Sequence, residues 1–123
     1  GLWSEPTTLS FEENGDMSSN LSISGKSIVT LVKYDDAFPC YKPNLIKMDI
    51  EGAEYNALLG MKKTISKYKP NLCISVYHKP DDIIKIPKLI KSWNLDYQFY
   101  LRVHEYNTFG VVLYCLQKNK INY

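Results

Sequence analysis

The segment from Asn44 to Glu54 constrains the fold most, because a short apolar strand pattern passes there without a loop into a helical pattern. Residues 44–50 are typical of a buried strand, and apolar residues then recur at helical spacing over about 53–68, until Pro70 ends the helix. Residues 71–77 follow as a nearly continuous apolar strand, of the kind that is buried on both faces of a parallel sheet. The order strand, helix, strand predicts a βαβ unit.

The residues before this unit alternate between polar and apolar side chains, which predicts short strands. Two strands over 8–12 and 21–24 are expected to be joined by a turn at Asn14–Asp16, and a third strand covers 27–32. An aspartate of the pair Asp35–Asp36 is expected to cap a short helix of its own, which the following prolines soon end.

The residues after the unit predict a second helix over about 83–94, with Pro87 near the start of its main portion. Residues 97–104 and 111–116 alternate around a turn and predict an antiparallel hairpin that closes one edge of the sheet. The whole chain, residues 1–123, is therefore predicted to form a single α/β domain. Its sheet is expected to be doubly wound and mostly parallel, apart from the closing hairpin.

Charge and cysteine content exclude several classes of protein. A net charge of +2, with lysines spread along the chain and Arg102 as the single arginine, gives no basic face for a nucleic acid. The cysteines at 40, 73 and 115 are odd in number and form no C-x-x-C pair, which favours a reducing compartment. The longest apolar stretch, Val111–Leu116, is far shorter than the ~20 residues that cross a bilayer, and the first residues do not form a signal peptide. We therefore expect a cytoplasmic protein with no membrane or nucleic-acid partner.

Polar side chains follow the two strands of the βαβ unit. In an open parallel sheet the ligand crevice lies outside the carboxyl ends of the strands, and these ends carry Asp49, Glu51 and Tyr77–His78. Asp49 and Glu51 are two residues apart and would share a face of an extended strand, whereas Glu51 and Glu54 would be neighbours on the first helical turn. Gly52 allows a sharp turn from strand to helix.

Three carboxylates this close repel one another, unless helix-terminal N–H groups, a cation or a shifted pKa offsets the repulsion. Glu51 and Glu54 could simply complement the helix dipole, but that does not explain Asp49 at the end of an apolar strand. The cluster therefore indicates a functional site.

Other polar residues have ordinary alternatives. His78, Asp81 and Asp82 could bind a metal, but aspartates directly before a helix usually cap it, so we expect no metal site. Arg102 and His104 share a strand face and could either reach an anionic or sugar substrate or face water. Several tyrosines of the hairpin could stack on a sugar, although packing is their commoner role.

These residues together resemble a known family. Lys47–Glu54, Tyr77–Asp82, Tyr100–Arg102 and Val112–Tyr114 are similar to the carboxyl-terminal half of the FkbM-family methyltransferases, over residues of about 28–116. The resemblance implies a class I, Rossmann-like fold that uses S-adenosylmethionine for O-methylation of sugars and secondary metabolites. The aspartate pair after Tyr34 also matches the family, which usually has leucine in place of that tyrosine.

The glycine-rich turn that such a domain needs for its cofactor does not occur, because the chain contains no G-x-G sequence. We therefore expect the amino-terminal strands that bind the cofactor to lie upstream of Gly1, and the chain to be a truncated domain that is inactive alone. Lost strands would leave an unpaired sheet edge, which favours self-association.

Methyl transfer to a hydroxyl needs a base for the hydroxyl proton. We predict that His78 or Asp49 is that base and that Glu51 orients the acceptor or the positively charged cofactor. Glu54 and Arg102 are predicted to bind the substrate, a small molecule or glycan with a free hydroxyl. Two alternatives remain from the sequence: a non-catalytic α/β interaction module, and a different nucleotide-dependent α/β enzyme.

Overall fold

The computed structural model describes residues 1–12, 20–22, 27–106 and 110–118 of the chain. Within them the elements follow the alternation that the sequence predicts. They are, in order, β1 Thr7–Glu12, β2 Asn20–Ser22, β3 Ser27–Leu31, α1 Tyr34–Ala37, β4 Leu45–Met48, α2 Glu54–Gly60, α3 Lys62–Tyr68, β5 Asn71–Ser75, α4 Asp82–Ser92, β6 Tyr97–Val103 and β7 Val111–Gln117.

The main sheet has the strand order β4-β5-β7-β6. The β4–β5 pair is parallel, as the βαβ pattern predicts, and β6 and β7 form the expected antiparallel hairpin at one edge. The expectation of a mostly parallel sheet is wrong for the described strands, because β4–β5 is the one parallel pairing in this sheet. The returning strand β7 inserts between β5 and β6, and this adds an antiparallel pairing on each of its sides.

The amino-terminal strands form a second sheet, of order β2-β1-β3, with antiparallel pairing throughout. The first two predicted strands are confirmed and pair with each other, and the turn predicted at Asn14–Asp16 lies outside the described residues. The first residues run beside the end of β3, where Leu2 forms a parallel bridge to Val32 and Trp3 N–H donates to the Val32 carbonyl over 2.9 Å.

The helix predicted over 53–68 is divided into α2 and α3, with Met61 between them at a φ of −110°. At the division the carbonyl oxygen of Trp3 lies 2.0 Å from where a Cβ on Gly60 would stand, so only glycine lets the first residues cross here. The break leaves the first N–H groups of α3 without partners inside their own helix.

Asp35 supplies those partners. Its two carboxylate oxygens accept the backbone N–H groups of Lys63 and Thr64 over 2.8 and 2.9 Å, and the residue is 8% exposed. The expectation that the aspartate pair caps its own short helix is therefore wrong, since α1 begins after Lys33 with no side-chain cap. The carboxylate of Asp35 instead caps a helix that lies 28 residues further along the chain.

Pro87 lies in the middle of α4, which runs from Asp82 to Ser92, whereas the sequence predicts it near the start of the main portion of the helix. A proline inside a helix removes one backbone hydrogen bond. The apolar face of α4 offsets this loss, because Ile86 and Ile90 are almost completely buried against the sheet.

The core lies between the helices and one face of the main sheet. Burial alternates along the strands, so that every second side chain of β4 and β7 is buried. Strand β5 also alternates up to Ile74, which corrects the expectation that both of its faces are buried. The buried side chains pack around Leu58, Ile65 and Leu72, each of them 0% exposed. Within the described ranges, no helix is both long enough and apolar enough to cross a membrane.

Replacement of Asp35 by alanine should lower the free energy of unfolding by about 1–2 kcal/mol, the usual cost of a lost helix cap. Asp36→Ala is the matched control, because Asp36 is exposed on the same turn. Urea unfolding of the two variants measures the difference. Equal stabilities would show that the contact from Asp35 to α3 contributes nothing.

Candidate active site

The parallel pairing of β4 with β5 brings their carboxyl ends to the same edge of the sheet. Met48 pairs with Ile74, so Asp49–Glu51 and Tyr77–His78 leave the two strands side by side. The structure therefore brings together Asp49, Glu51 and His78, the three residues that the sequence predicts to be catalytic.

His78 lies at the centre of the cluster. Its Nε2 atom is 3.5 Å from Asp49 Oδ1 and 3.5 Å from Glu51 Oε2, while its Nδ1 atom is 2.8 Å from Glu54 Oε1. The histidine side chain is 7% exposed, whereas those of Asp49 and Glu51 are 43% and 39% exposed. The imidazole is thus held below a rim of two carboxylates that solvent can reach.

Glu54 supports the imidazole from inside the protein. It is 0% exposed, and it is the first residue of α2, where the helix dipole favours a negative charge. Its Oε1 atom accepts the backbone N–H of Ile50 over 2.9 Å as well as facing His78. One carboxylate oxygen therefore joins the end of β4, the start of α2 and the residue that follows β5.

The turn between Asp49 and α2 is built from left-handed backbone. Glu51 has a φ of +54° and Gly52 a φ of +88°, so the sharp turn predicted at the glycine is confirmed. A Cβ on Gly52 would stand 2.9 Å from Cε of Lys79, whose side chain crosses this point. Asp49 and Glu51 lie beyond the last strand residue, Met48, so they meet at His78 through the turn rather than by sharing a strand face.

Several buried polar atoms of the cluster have no hydrogen bond within the part of the chain that the structure describes. They are Glu54 Oε2 and both ring nitrogens of His78. The 2.8 Å separation of Nδ1 from Glu54 is short enough for an ion pair, but the N–H direction does not align with the oxygen as a hydrogen bond requires. Buried polar groups are nearly always satisfied, so this site has unused capacity for a ligand.

Tyr77 also belongs to the site. It lies in the segment that resembles the family, but the sequence predicts no role for it. Its hydroxyl donates to Asp49 Oδ1 over 3.3 Å, and its ring lies against that of His78 with the centroids 4.2 Å apart. Burial raises the pKa of this hydroxyl, and the charge of Asp49 raises it further. The phenol therefore stays a hydrogen-bond donor that orients Asp49. The sequence signal for this role is the position of Tyr77 directly before His78, which is predicted to be catalytic.

Asp82 is a second residue that the sequence did not assign to the cluster. It is 2% exposed, and its Oδ2 atom has no hydrogen bond among the described residues. Burial raises its pKa, and the negative charge of Glu54 adds to this effect. Asp81 does not join the cluster, because it pairs with Lys85 one turn along α4. The metal site considered from His78, Asp81 and Asp82 is therefore not assembled in this form.

Arg102 lies apart from the cluster. It is exposed on β6, opposite Val112 of β7, and β7 in turn separates β6 from β5. His104, directly after the strand, has its Nε2 atom 2.9 Å from the Tyr114 hydroxyl. A cation beside the cluster turn is Lys79, whose Nζ lies 3.6 Å from the position of a Cβ on Gly52.

Comparison with known proteins identifies the family of the chain. The family model of the methyltransferase FkbM domain matches residues 4–99, which include the whole cluster. The chain belongs to the FkbM methyltransferase family. This confirms the resemblance, and the match extends further toward the amino terminus than the resemblance did, although it ends before Tyr100–Arg102.

A solved FkbM structure shares the fold. The crystal structure of the methyltransferase FkbM from Methylobacillus flagellatus KT is similar to this chain with a TM-score of 0.74 and 31% sequence identity. The similarity covers 94% of this FkbM chain and 27% of that one, so the chain spans about a quarter of the length of its solved relative. No curated protein matches the sequence.

Replacement of Asp82 by asparagine should stabilise the FkbM chain at pH 7. The raised pKa means that the folded state disfavours the ionised carboxylate, whose neighbours are Glu54, Asp81 and the opposing Lys79. The cost is present above the folded pKa and disappears below the ordinary value of 3.8. The stability gain of the variant should therefore shrink as the pH falls.

Urea unfolding at several pH values measures this gain. Asp81→Asn is the control of opposite sign, because the exposed pair with Lys85 lowers the pKa of Asp81. A gain for Asp82→Asn that does not change with pH would contradict the electrostatic explanation.

Proposed function

We propose that this FkbM chain is part of an S-adenosylmethionine-dependent O-methyltransferase that acts on a hydroxyl of a sugar or secondary metabolite. Membership of the family supports methyl transfer. The observation that carries the proposal is the buried imidazole of His78, which has the Glu54 carboxylate against one nitrogen and two solvent-facing carboxylates near the other. Such a cluster at the carboxyl ends of parallel strands is suited to activate a hydroxyl.

The proposed chemistry is an in-line displacement. The acceptor oxygen forms a bond to the methyl carbon, the bond from that carbon to the sulfonium sulfur breaks, and the sulfur leaves as a neutral thioether. The hydroxyl proton must pass to a base, because the methylated oxygen cannot keep it. We infer that the acceptor of this proton is His78 or Asp49.

The arrangement around His78 favours its Nε2 atom as the proton acceptor. Glu54 Oε1 lies 2.8 Å from Nδ1, and a carboxylate at that distance favours the tautomer with its proton on Nδ1, so we infer that the neutral ring carries its proton there. This leaves the Nε2 lone pair available on the side of the ring that lies 3.5 Å from Asp49 and from Glu51. A base that a third group orients in this way is the usual arrangement of general-base catalysis.

The two rim carboxylates have a second proposed role. Asp49 and Glu51 are both negatively charged and partly exposed, so they fit the positive sulfonium end of S-adenosylmethionine or the hydroxyls of an acceptor. Bound there, the cofactor supplies the methyl group, and the residues of this chain orient the partners and hold the proton. Glu54 is completely buried, so we assign it to support His78 rather than to contact substrate. Arg102 stays a proposed substrate contact, because it is exposed toward the same end of the sheet.

In the full-length enzyme, His78→Gln should lower turnover by roughly 10²–10⁴-fold, the usual contribution of a general base. The affinity for S-adenosylmethionine should change little, because the ring lies below the rim. Transfer of a labelled methyl group to a panel of sugar and polyol acceptors measures turnover, and calorimetry measures cofactor binding.

His104→Gln is the matched control, since the chain has 2 histidines and His104 lies outside the cluster. Equal turnover of the two variants would remove His78 as the base. A full-length protein that binds no S-adenosylmethionine would instead favour the non-catalytic interaction module, and one that binds a nicotinamide nucleotide would favour a different nucleotide-dependent enzyme.

A further inference from the structure

We propose that Asp49, Glu51 and His78 form a binding site for one divalent transition-metal ion, such as Zn²⁺ or Mn²⁺. In this arrangement Nε2 of His78 and one oxygen of each carboxylate are the protein ligands, and Glu54 supports the histidine from behind. The inference does not depend on the proposed methyl transfer, because metal binding can be measured without turnover.

The separations of His78 Nε2 from the two carboxylates match those between ligands of one metal ion. Nε2 lies 3.5 Å from Asp49 Oδ1 and 3.5 Å from Glu51 Oε2, which is too long for a good hydrogen bond. Ligand bonds of about 2.0–2.2 Å at tetrahedral angles place neighbouring ligand atoms about 3.4 Å apart. Each of the two partly exposed carboxylates could therefore share an ion with Nε2.

The imidazole is buried, and its Nε2 atom has no hydrogen-bond partner that would compete with a metal ion among the described residues. The His78 side chain is 7% exposed, and neither ring nitrogen makes a hydrogen bond to the described residues. A polar ring buried in this way normally has such a partner. Because Nε2 lies 3.5 Å from each of two carboxylates, a cation is the partner whose charge suits the position.

Glu54 occupies the place of an outer-sphere partner. A histidine that binds a metal through one nitrogen usually donates the N–H of the other nitrogen to a carboxylate, which fixes the ring. Glu54 Oε1 lies 2.8 Å from Nδ1, and the N–H of Ile50 holds the same oxygen in place over 2.9 Å. Asp49, Glu54 and His78 each offer one ligand atom within 4.8 Å of the others, so this part of the cluster is compact enough for one ion, and the partly exposed Glu51 adds a carboxylate at its edge.

The donor set selects the class of metal. One imidazole with two carboxylates suits Zn²⁺, Mn²⁺ or Co²⁺, whereas Mg²⁺ and Ca²⁺ prefer oxygen ligands alone. Asp49 and Glu51 are 43% and 39% exposed, so the remaining coordination positions face solvent and could accept water or an acceptor hydroxyl. A metal on Nε2 excludes a proton there, so metal binding and proton acceptance by His78 would compete.

Titration of the metal-free chain with Co²⁺ tests the site, because tetrahedral Co²⁺ has a strong visible absorption. We expect saturation at one ion per chain and reversal by Zn²⁺. Asp49→Asn and Glu51→Gln should each weaken Co²⁺ binding at least tenfold, and His78→Gln should abolish the absorption band. The first two positions are partly exposed and the changes preserve side-chain shape, so the fold should persist, which circular dichroism can verify.

His104→Gln and Asp36→Asn are the matched controls, because both residues are exposed outside the cluster. The proposal is overturned if the wild-type chain gives no tetrahedral band, if either control weakens binding as much as the cluster variants, or if Asp49→Asn and Glu51→Gln bind Co²⁺ like the wild type. Absence of metal binding together with a loss of turnover in His78→Gln would reject the metal site and keep the proposed base. If the chain binds Co²⁺ but His78→Gln keeps full turnover in the full-length enzyme, His78 is rejected as the base and the metal site is kept.

Discussion

The contact on which the site depends is that of the buried Glu54 carboxylate with its neighbours. A buried charge is costly unless it is paired or hydrogen-bonded, and the Oε1 atom of Glu54 meets this requirement with the helix start, the N–H of Ile50 and the ring of His78. Each of these partners belongs to a different part of the βαβ unit. The carboxylate thus fixes the place where β4 ends, where α2 begins and where the residue after β5 must lie.

A second buried carboxylate plays a similar part at the other end of α2. Asp35 caps α3 from a distance and so ties the residues that follow the amino-terminal sheet to the helices of the main sheet. Gly60 lets the first residues pass across the same point. The point at which the predicted helix divides into α2 and α3 is therefore also the point at which the two sheets of the structure are joined. The contacts that join them there are those of Asp35 and Gly60.

The features that the sequence predicts correctly are those that depend on the local pattern of residues. The strand-to-helix junction at Gly52, the parallel β4–β5 pair and the closing hairpin follow from periodicity and glycine chemistry, and the meeting of Asp49, Glu51 and His78 follows from the parallel pairing. The family resemblance added the class of reaction, which no periodicity contains.

The remaining features are non-local and leave no signal in a single sequence. The position of β7 between β5 and β6 is a choice of strand order, and the capping of α3 by Asp35 joins residues 28 apart. The burial of Asp82 beside Glu54 depends on how α4 packs against α2. Aspartates directly before a helix are ordinarily exposed caps, so the sequence wrongly predicts an exposed position for Asp82, which is buried.

We infer that Glu54 fixes the orientation of the His78 ring and the choice of the nitrogen that carries its proton. Two-bond ¹H–¹⁵N correlation spectra of the metal-free chain, recorded at a pH where the ring is neutral, report which ring nitrogen carries the proton. The signals of the 2 histidines can be assigned with His104→Gln. We predict that His78 carries its proton on Nδ1, the nitrogen next to Glu54, and that Nε2 is bare. A neutral His78 ring with its proton on Nε2 would contradict it.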